Sequence, residues 1–310
     1  MIDVIDLVKQ YGAFRAVDSL SLRIDKGEIF GFVGPNGAGK TTTMKIVAGL
    51  LPATSGRVLV KDVDVIRDPR VLRERIGYMP DFFGVYDNLK VSEYMDFYAG
   101  AYYIPYAERP AIINNLLELV GLTYKSDAYV DTLSRGMKQR LCLARALIHD
   151  PEVLLLDEPA SGLDPRARVE MKEVLKQLKA LGKTIIISSH ILSELAELCS
   201  VVGIMDHGRL QAYGSITDIL RQMNAGRTLL LKPLEMSEAL VRILNENPHV
   251  SGMVENVADV EFRFAGEDAD VARLLSELVV NGVPVLSFRE REGNLEEMFM
   301  QLTGGDENLD

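Results

Sequence analysis

The sequence predicts an α/β fold with a parallel sheet over residues 1–222, followed by a small α+β domain. Strand-like and helix-like segments alternate along residues 1–222, which is the pattern of a parallel sheet. A glycine-rich turn at Gly34–Thr41 separates an apolar strand-like segment from a helix-like one. The pattern changes around Asn224–Arg227, where a shorter series of strands and helices begins.

Short apolar segments bounded by turn residues supply the strands of the first domain. They are Glu28–Val33, Val58–Val60, Val153–Asp157, Thr184–Ser188 and Val201–Asp206. Helices are predicted after the glycine-rich turn, after Ser134, after Asp164 and after Leu192. Residues 82–150 are mostly helix-like, which predicts a helical subdomain inserted into the sheet.

The helical subdomain is rich in aromatic residues. Nine of the 21 aromatic residues of the chain fall between Phe82 and Tyr106. They can form a packed subdomain core, or they can line a hydrophobic groove for a partner helix. The sequence leaves both interpretations open.

The second domain is predicted over residues 226–303, with residues 304–310 as a flexible tail. Its β-α-β-β-α-β order suggests a ferredoxin-like domain. The segments are Thr228–Lys232, Ser237–Asn245, Val250–Val254, Val260–Phe264, Asp268–Asn281 and Val283–Phe288, with a final helix from Asn294.

Charge and hydropathy limit the partners of this chain. The net charge is −11, and from Ala225 onward there are 7 Lys and Arg against 17 Asp and Glu. Such an acidic domain argues against nucleic acid or anionic lipid as its partner. No apolar run reaches the length of a membrane span, and the N-terminus lacks signal-peptide features. We therefore expect a cytoplasmic protein without direct membrane insertion, whose membrane contact depends on a partner.

The glycine-rich turn matches the phosphate-loop pattern G-x-x-x-x-G-K-[ST]. Glycines allow several backbone N–H groups to face one anion, and the following helix adds the positive end of its dipole. Lys40 is expected to reach the β- and γ-phosphates, and the Thr41 hydroxyl to bind Mg²⁺. The predicted nucleotide contacts of this loop are Gly34, Pro35, Asn36, Gly37, Ala38, Gly39, Lys40, Thr41 and Thr42.

Two further segments point to the same chemistry. The apolar strand Val153–Asp157 ends in acids, so Asp157 suits Mg²⁺ and Glu158 can orient or deprotonate an attacking water. Ser134 is a predicted helix N-cap, and the helix that it begins, taken alone, is either a second anion-binding element or an ordinary capped amphipathic helix.

These motifs, followed in order by Ser161–Asp164 and His190, resemble the ATP-binding subunits of ABC transporters. The resemblance covers residues 1–222 and implies an ABC-type P-loop NTPase domain that hydrolyses ATP with Mg²⁺. It implies that Tyr11 stacks on the adenine. It also implies that His190 contacts the γ-phosphate or holds the Glu158–water geometry.

The resemblance further implies a head-to-tail homodimer. ATP would lie between the phosphate loop of one subunit and the helix start of the other, formed by Ser134, Arg135, Gly136 and Met137. Asp164 would communicate across the dimer interface.

Two positions depart from the common family pattern. Asp81 stands where the family usually has glutamine, and a carboxylate there can approach Mg²⁺ directly or through water. Arg135 places a cation beside a predicted phosphate site, so we hypothesise that it contributes to ATP affinity in the closed dimer.

Both departures resemble a bacterial exporter subgroup that pumps drugs, antibiotics or lipids. The expected partner is a separate integral-membrane permease, which would hold the chain at the inner face of the cell membrane. Two alternatives are a soluble ABC-type ATPase in nucleic-acid or ribosome work, and a regulatory subunit that binds ATP as a signal. The first is disfavoured by the single cassette and the acidic tail, and the second by the complete set of Lys40, Asp157, Glu158 and His190.

Overall fold

The computed structural model describes residues 1–65, 67, 72, 74–81, 84, 88–223, 227–256 and 259–290. The described chain separates into two compact units, of which the first comprises Met1–Ile216 and the second begins at Thr217. No helix in these described ranges is long and apolar enough to cross a membrane. The expected C-terminal helix from Asn294 lies outside the described residues.

A four-stranded antiparallel sheet opens the first unit. Its order is β2-β1-β4-β5, with β1 Ile2–Tyr11, β2 Phe14–Ile24, β4 Ser55–Val60 and β5 Val63–Asp64. The sequence pattern missed β1 and β2 because bulges interrupt their alternation. The predicted strand Val58–Val60 is part of this sheet. Its placement in the parallel sheet was wrong, because it pairs antiparallel with β1.

A six-stranded sheet of order β10-β9-β3-β8-β7-β6 carries the functional loops. The five strands from β9 to β6 are parallel, and β10 pairs antiparallel with β9. Every residue of β3 and β7 is buried, as expected for a parallel sheet covered on both faces. The strands are β3 Ile29–Val33, β6 Ile76–Met79, β7 Val153–Leu156, β8 Thr184–Ser189, β9 Val201–Asp206 and β10 Arg209–Gly214.

Helices of the first unit follow these strands or form the predicted helical insertion. The insertion contains the second to fourth of them. They are α1 Lys40–Val47, α2 Val91–Ala101, α3 Arg109–Leu119, α4 Arg135–Ala146, α5 Pro165–Ala180 and α6 Leu192–Ala196. Because β3, β6, β7 and β8 are parallel neighbours, the loops after their carboxyl ends meet at one sheet edge.

The second unit has its own core beneath a four-stranded antiparallel sheet. The sheet order is β12-β13-β11-β14, and two helices bury Leu240, Leu244, Leu274 and Leu278 against it. The elements from residue 216 are α7 Ile216–Met223, β11 Arg227–Pro233, α8 Glu238–Glu246, β12 Val250–Glu255, β13 Val260–Phe264, α9 Asp268–Val280 and β14 Val285–Glu290.

Candidate nucleotide site

The phosphate loop connects β3 to α1 and passes close to neighbouring backbone. A Cβ on Gly34 would lie 2.3 Å from the carbonyl oxygen of Met205, so only glycine fits there. Gly39 is left-handed, with φ +102°, and a Cβ on it would lie 2.4 Å from the carbonyl oxygen of Ala16. The loop is therefore fixed by glycines at the point where its backbone meets β2 and β9.

Lys40 begins α1 and is 6% exposed. Its Nζ donates to the carbonyl oxygens of Gly34 at 2.6 Å and Pro35 at 3.1 Å, and lies 3.9 Å from Glu158 Oε1. Burial lowers the pKa of Lys40, and the carboxylates of Glu158 and Asp157 oppose this change. A buried ammonium needs anionic partners, so this loop is built to receive negative charge.

Asp157 is fully buried at the end of β7. Its Oδ1 accepts hydrogen bonds from the hydroxyls of Thr41 at 3.0 Å and Ser188 at 2.6 Å. Its Oδ2 is buried without a hydrogen-bond partner among the described residues. A buried carboxylate oxygen without a donor, beside a threonine hydroxyl, suits a hard cation such as Mg²⁺.

No group of three His, Cys, Asp or Glu side chains in the described ranges could hold a metal by itself. Mg²⁺ is usually bound by one or two carboxylates together with nucleotide phosphates. Asp81 is exposed just beyond β6. Burial raises the pKa of the nearby Tyr78, and the charges of Asp157 and Asp81 act in the same direction. Because Met79 pairs with Leu156 in the parallel strands β6 and β7, Asp81 and Asp157 follow these strands at the same sheet edge.

Glu158 has a left-handed backbone, with φ +50°. His190 follows β8, and its Nδ1 lies 2.9 Å from Glu158 Oε2. Left-handed backbone at a residue other than glycine is strained and persists where its surroundings hold it. Here the backbone N–H of Glu158 donates to the Ser188 hydroxyl at 2.9 Å.

Ser188 is a site residue that sequence reasoning did not identify. It is buried in β8, and its one hydroxyl contacts both acids of the adjacent strand end. The sequence could have indicated Ser188 only by its place two residues before His190. In the structure Leu156 of β7 pairs with Ile187 of β8, so the next residues of the two strands, Asp157 and Ser188, are neighbours.

Ser134 is the N-cap of α4 and accepts a hydrogen bond from the Met137 N–H at 3.3 Å. A Cβ on Gly136 would lie 2.8 Å from the Cβ of Ala167 in α5. The start of α4 is therefore packed against the start of α5.

The Ser161–Asp164 loop lies beside this helix start. A Cβ on Gly162 would lie 2.5 Å from the guanidinium carbon of Arg135, and Gln139 donates to the Ser161 carbonyl at 3.2 Å. Asp164 is the N-cap of α5 and accepts from the Ala167 N–H at 2.9 Å. The structure thus joins the two predicted dimer-contact segments within one chain, at contacts that do not involve the phosphate loop.

Tyr11 ends β1 and is 48% exposed. The ammonium of Lys9 lies 5.0 Å from its ring centroid, and Tyr11 pairs with the exposed Phe14 across the hairpin. The following strand reaches the phosphate loop at Ala16, so an accessible aromatic ring stands on the hairpin that borders this loop.

A family model described as "ABC transporter" matches residues 17–161. The chain is also 33% identical over 306 residues to the linearmycin resistance ATP-binding protein LnrL of Bacillus subtilis (strain 168), covering 98% of both chains. The chain belongs to the ABC transporter ATP-binding family. The predicted resemblance is therefore confirmed, and the protein is an ABC-type ATPase of the exporter group.

Other ABC relatives match over a similar length. The bacitracin transport protein BcrA of Bacillus licheniformis is 36% identical over 312 residues and is covered to 98%. The Nod factor export ATP-binding protein I of Rhizobium meliloti is 35% identical over 306 residues and is covered to 88%. Each match covers 98% of this chain, so it extends through the second unit as well as the first.

Solved ABC structures also match this chain. A structure of an ATP-binding subunit of an ABC transporter has a TM-score of 0.65 and 31% identity, covering 72% of this chain and 93% of that one. The dimeric structure of the cassette MJ0796 has a TM-score of 0.64 and 25% identity, covering 70% and 99%. The P-loop fold predicted from the sequence is confirmed by these matches.

Proposed function

We propose that this chain hydrolyses Mg²⁺-ATP at the sheet edge formed after β3, β7 and β8, and thereby powers a separate membrane permease. The convergence of Lys40, Thr41 and Asp157 with the Glu158–His190 pair carries the proposal. Lys40 is expected to bind the β- and γ-phosphates, with the backbone N–H groups of the phosphate loop around it. The Tyr11 ring is expected to stack on the adenine.

Mg²⁺, when bound, neutralises developing phosphate charge. Thr41 and Asp157 would hold it, and Asp81 would approach it from the end of β6. Glu158 is expected to accept a proton from the attacking water, or to orient that water, and its contact with His190 fixes the carboxylate. His190, 44% exposed at its side chain, is positioned to contact the γ-phosphate.

The ATP-bound form is proposed to be a head-to-tail homodimer. A capped helix start is a phosphate-binding element, and Ser134–Met137 makes its described contacts away from the phosphate loop of its own chain. A phosphate loop of a second subunit would complete the site. The Arg135 guanidinium lies against Gly162. We propose that it contributes to ATP affinity by facing the partner's nucleotide, either from this position or after a small rotation of its side chain.

The permease is proposed to dock on the helical subdomain. A groove of about 630 Å³ lies between α2 and α3. Its apolar wall includes Leu89, Phe97, Tyr106, Ile113 and Leu117. Both aromatic residues of this wall, Phe97 and Tyr106, are more than half exposed. An amphipathic cytoplasmic helix of the permease would bury its apolar face here. Phe82, Phe83 and Tyr86, also predicted for this surface, lie outside the described residues.

The exported substrate is proposed to be a drug, lipid or other amphiphile, because the relatives include proteins of linearmycin resistance, bacitracin transport and Nod factor export. The chain would act on the cytoplasmic face of the membrane. The second unit is proposed to be a ferredoxin-like accessory domain over residues 226–303, supported by its element order and antiparallel strand order.

Two measurements test the proposed function. A tagged chain purified from detergent-solubilised membranes should retain a polytopic membrane protein in stoichiometric amount. Recovery with ribosomes or DNA instead would favour the soluble alternative. Glu158→Gln should lower the ATPase turnover by about 10²-fold or more while ATP still binds and stabilises the dimer. Glu173→Gln, an exposed acid on α5, is the matched control and should leave turnover unchanged.

A further inference from the structure

We propose that Arg168 and Glu194 are positioning residues that hold His190 against Glu158 and connect this pair to the Ser161–Asp164 loop. The inference rests on the proposed roles of His190 and Glu158 in hydrolysis. The described contacts of this ion pair are with the Ser161–Asp164 loop and Ser189, not with the phosphate loop.

Arg168 lies in the first turn of α5 and reaches in two directions. Its Nη2 donates to the carbonyl oxygen of Leu163 at 3.4 Å, within the Ser161–Asp164 loop. Its Nη1 lies 3.2 Å from Glu194 Oε1 in α6. One planar guanidinium therefore joins the backbone of that loop to the short helix that follows His190.

Glu194 connects Arg168 to Ser189 and, through the Ser189 hydroxyl, to Ile191. Its side chain is only 11% exposed, and its Oε2 accepts from the Ser189 hydroxyl at 3.1 Å. The same hydroxyl accepts from the Ile191 N–H at 3.0 Å. The residues on both sides of His190 are thus held by a carboxylate whose other oxygen binds Arg168.

Ser189 also contacts the phosphate loop, because its carbonyl oxygen accepts from the Gly34 N–H at 3.3 Å. A displaced Ser189 would alter both the direction of the His190 ring and the entry to the loop. Small misplacements of catalytic groups cost far more in rate than in binding. A shift of the Leu163 carbonyl, next to the predicted dimer contact Asp164, would reach His190 through Arg168 and Glu194.

A second ion pair, between α5 and the residue that follows α6, supplies a matched control. Lys172 lies one turn further along α5, and its Nζ is 2.9 Å from Glu197 Oε2. Glu197 is 70% exposed and lies beyond α6, away from Ser189. Loss of this pair removes a similar contact between α5 and the α6 region without touching the residues around His190.

The test compares Arg168→Met and Glu194→Gln with Lys172→Met in the full-length chain. The first two should lower kcat for Mg²⁺-ATP about tenfold while KM stays within about twofold, and Arg168→Lys should recover part of the loss. Lys172→Met should leave both constants near the wild-type values. Thermal melting and binding of a fluorescent ATP analogue identify any variant that fails to fold.

A double-mutant cycle separates positioning from general destabilisation. In a His190→Ala background, measured by single-turnover hydrolysis of labelled ATP, Glu194→Gln should cause no further loss. Full additivity would overturn the inference. Wild-type kcat in Glu194→Gln would overturn it too, even if Arg168→Met does not fold. If Glu158→Gln is inactive in the same assays, the proposed function survives either result. An active Glu158→Gln would contradict both the proposed hydrolysis by Glu158 and the positioning role of Arg168 and Glu194.

Discussion

The Thr41 hydroxyl donates to Asp157 Oδ1 at 3.0 Å, across 116 positions of the chain. This contact brings the start of α1 to the end of β7. Among the residues that the structure describes, Asp157 Oδ2 stays buried without a hydrogen-bond partner. The contact places side by side the two oxygen-bearing side chains that we propose as Mg²⁺ ligands.

Asp157→Asn should therefore remove most of the Mg²⁺ dependence of ATP binding. For the wild-type chain, we expect EDTA to weaken ATP binding, whereas the variant should bind ATP weakly with or without Mg²⁺. Titration with a fluorescent ATP analogue measures this. Asp206→Asn, at the end of the parallel strand β9, is the control and should keep the wild-type response. A full Mg²⁺ effect in Asp157→Asn would contradict the assigned ligand.

Ser188→Ala should affect stability and turnover together. The substitution leaves the partly buried Glu158 N–H without its acceptor and removes a donor from the buried Asp157 carboxylate. An unsatisfied buried group costs about 1–3 kcal/mol, so the free energy of unfolding in urea should fall by that amount. Turnover should also fall, because the left-handed backbone of Glu158 loses its support. Ser193→Ala, at an exposed position in α6, should change neither quantity.

Gly39→Ala should be far more damaging than Gly37→Ala. Both glycines have positive φ, so both substitutions carry backbone strain of about 1–2 kcal/mol. A Cβ on Gly37 meets nothing within 4 Å, whereas one on Gly39 would lie 2.4 Å from the Ala16 carbonyl oxygen. Urea unfolding without nucleotide compares them, and equal stabilities would show that this close approach is not rigid.

His149 should contribute to acid sensitivity. Burial lowers its pKa below the ordinary value of 6.5, although the Ile76 carbonyl acts in the opposite direction. Its ring also stacks on Tyr102, with centroids 3.9 Å apart. As pH falls through about 6.5, the unfolded chain takes up the proton before the folded chain, so the free energy of unfolding decreases.

His149→Gln removes this proton uptake. The variant should show a flatter decline of unfolding free energy just below about pH 6.5 than the wild-type chain, measured by urea unfolding at a series of pH values. The two slopes would coincide if the folded state bound the proton as readily as the unfolded chain.

The elements that could be predicted from the sequence are those that depend on residues close together in the chain. The phosphate loop was recognisable because glycines, lysine and threonine are adjacent in the chain, and their chemistry depends on that short spacing. The strand at Val153 and the helix start at Ser134 were equally local, since apolar runs and capping residues act on their own neighbours. The bulged strands β1 and β2 were missed because their alternation is broken.

The sequence by itself determined the family to which the chain belongs, and it predicted which residues would carry phosphate, metal and proton chemistry. Only the tertiary structure decided that Ser188 bridges Asp157 and Glu158, and that Arg135 lies on Gly162. It also decided that Arg168 reaches Glu194. Each of these contacts joins segments brought together by strand pairing or helix packing, and such contacts leave no periodic signal in the chain.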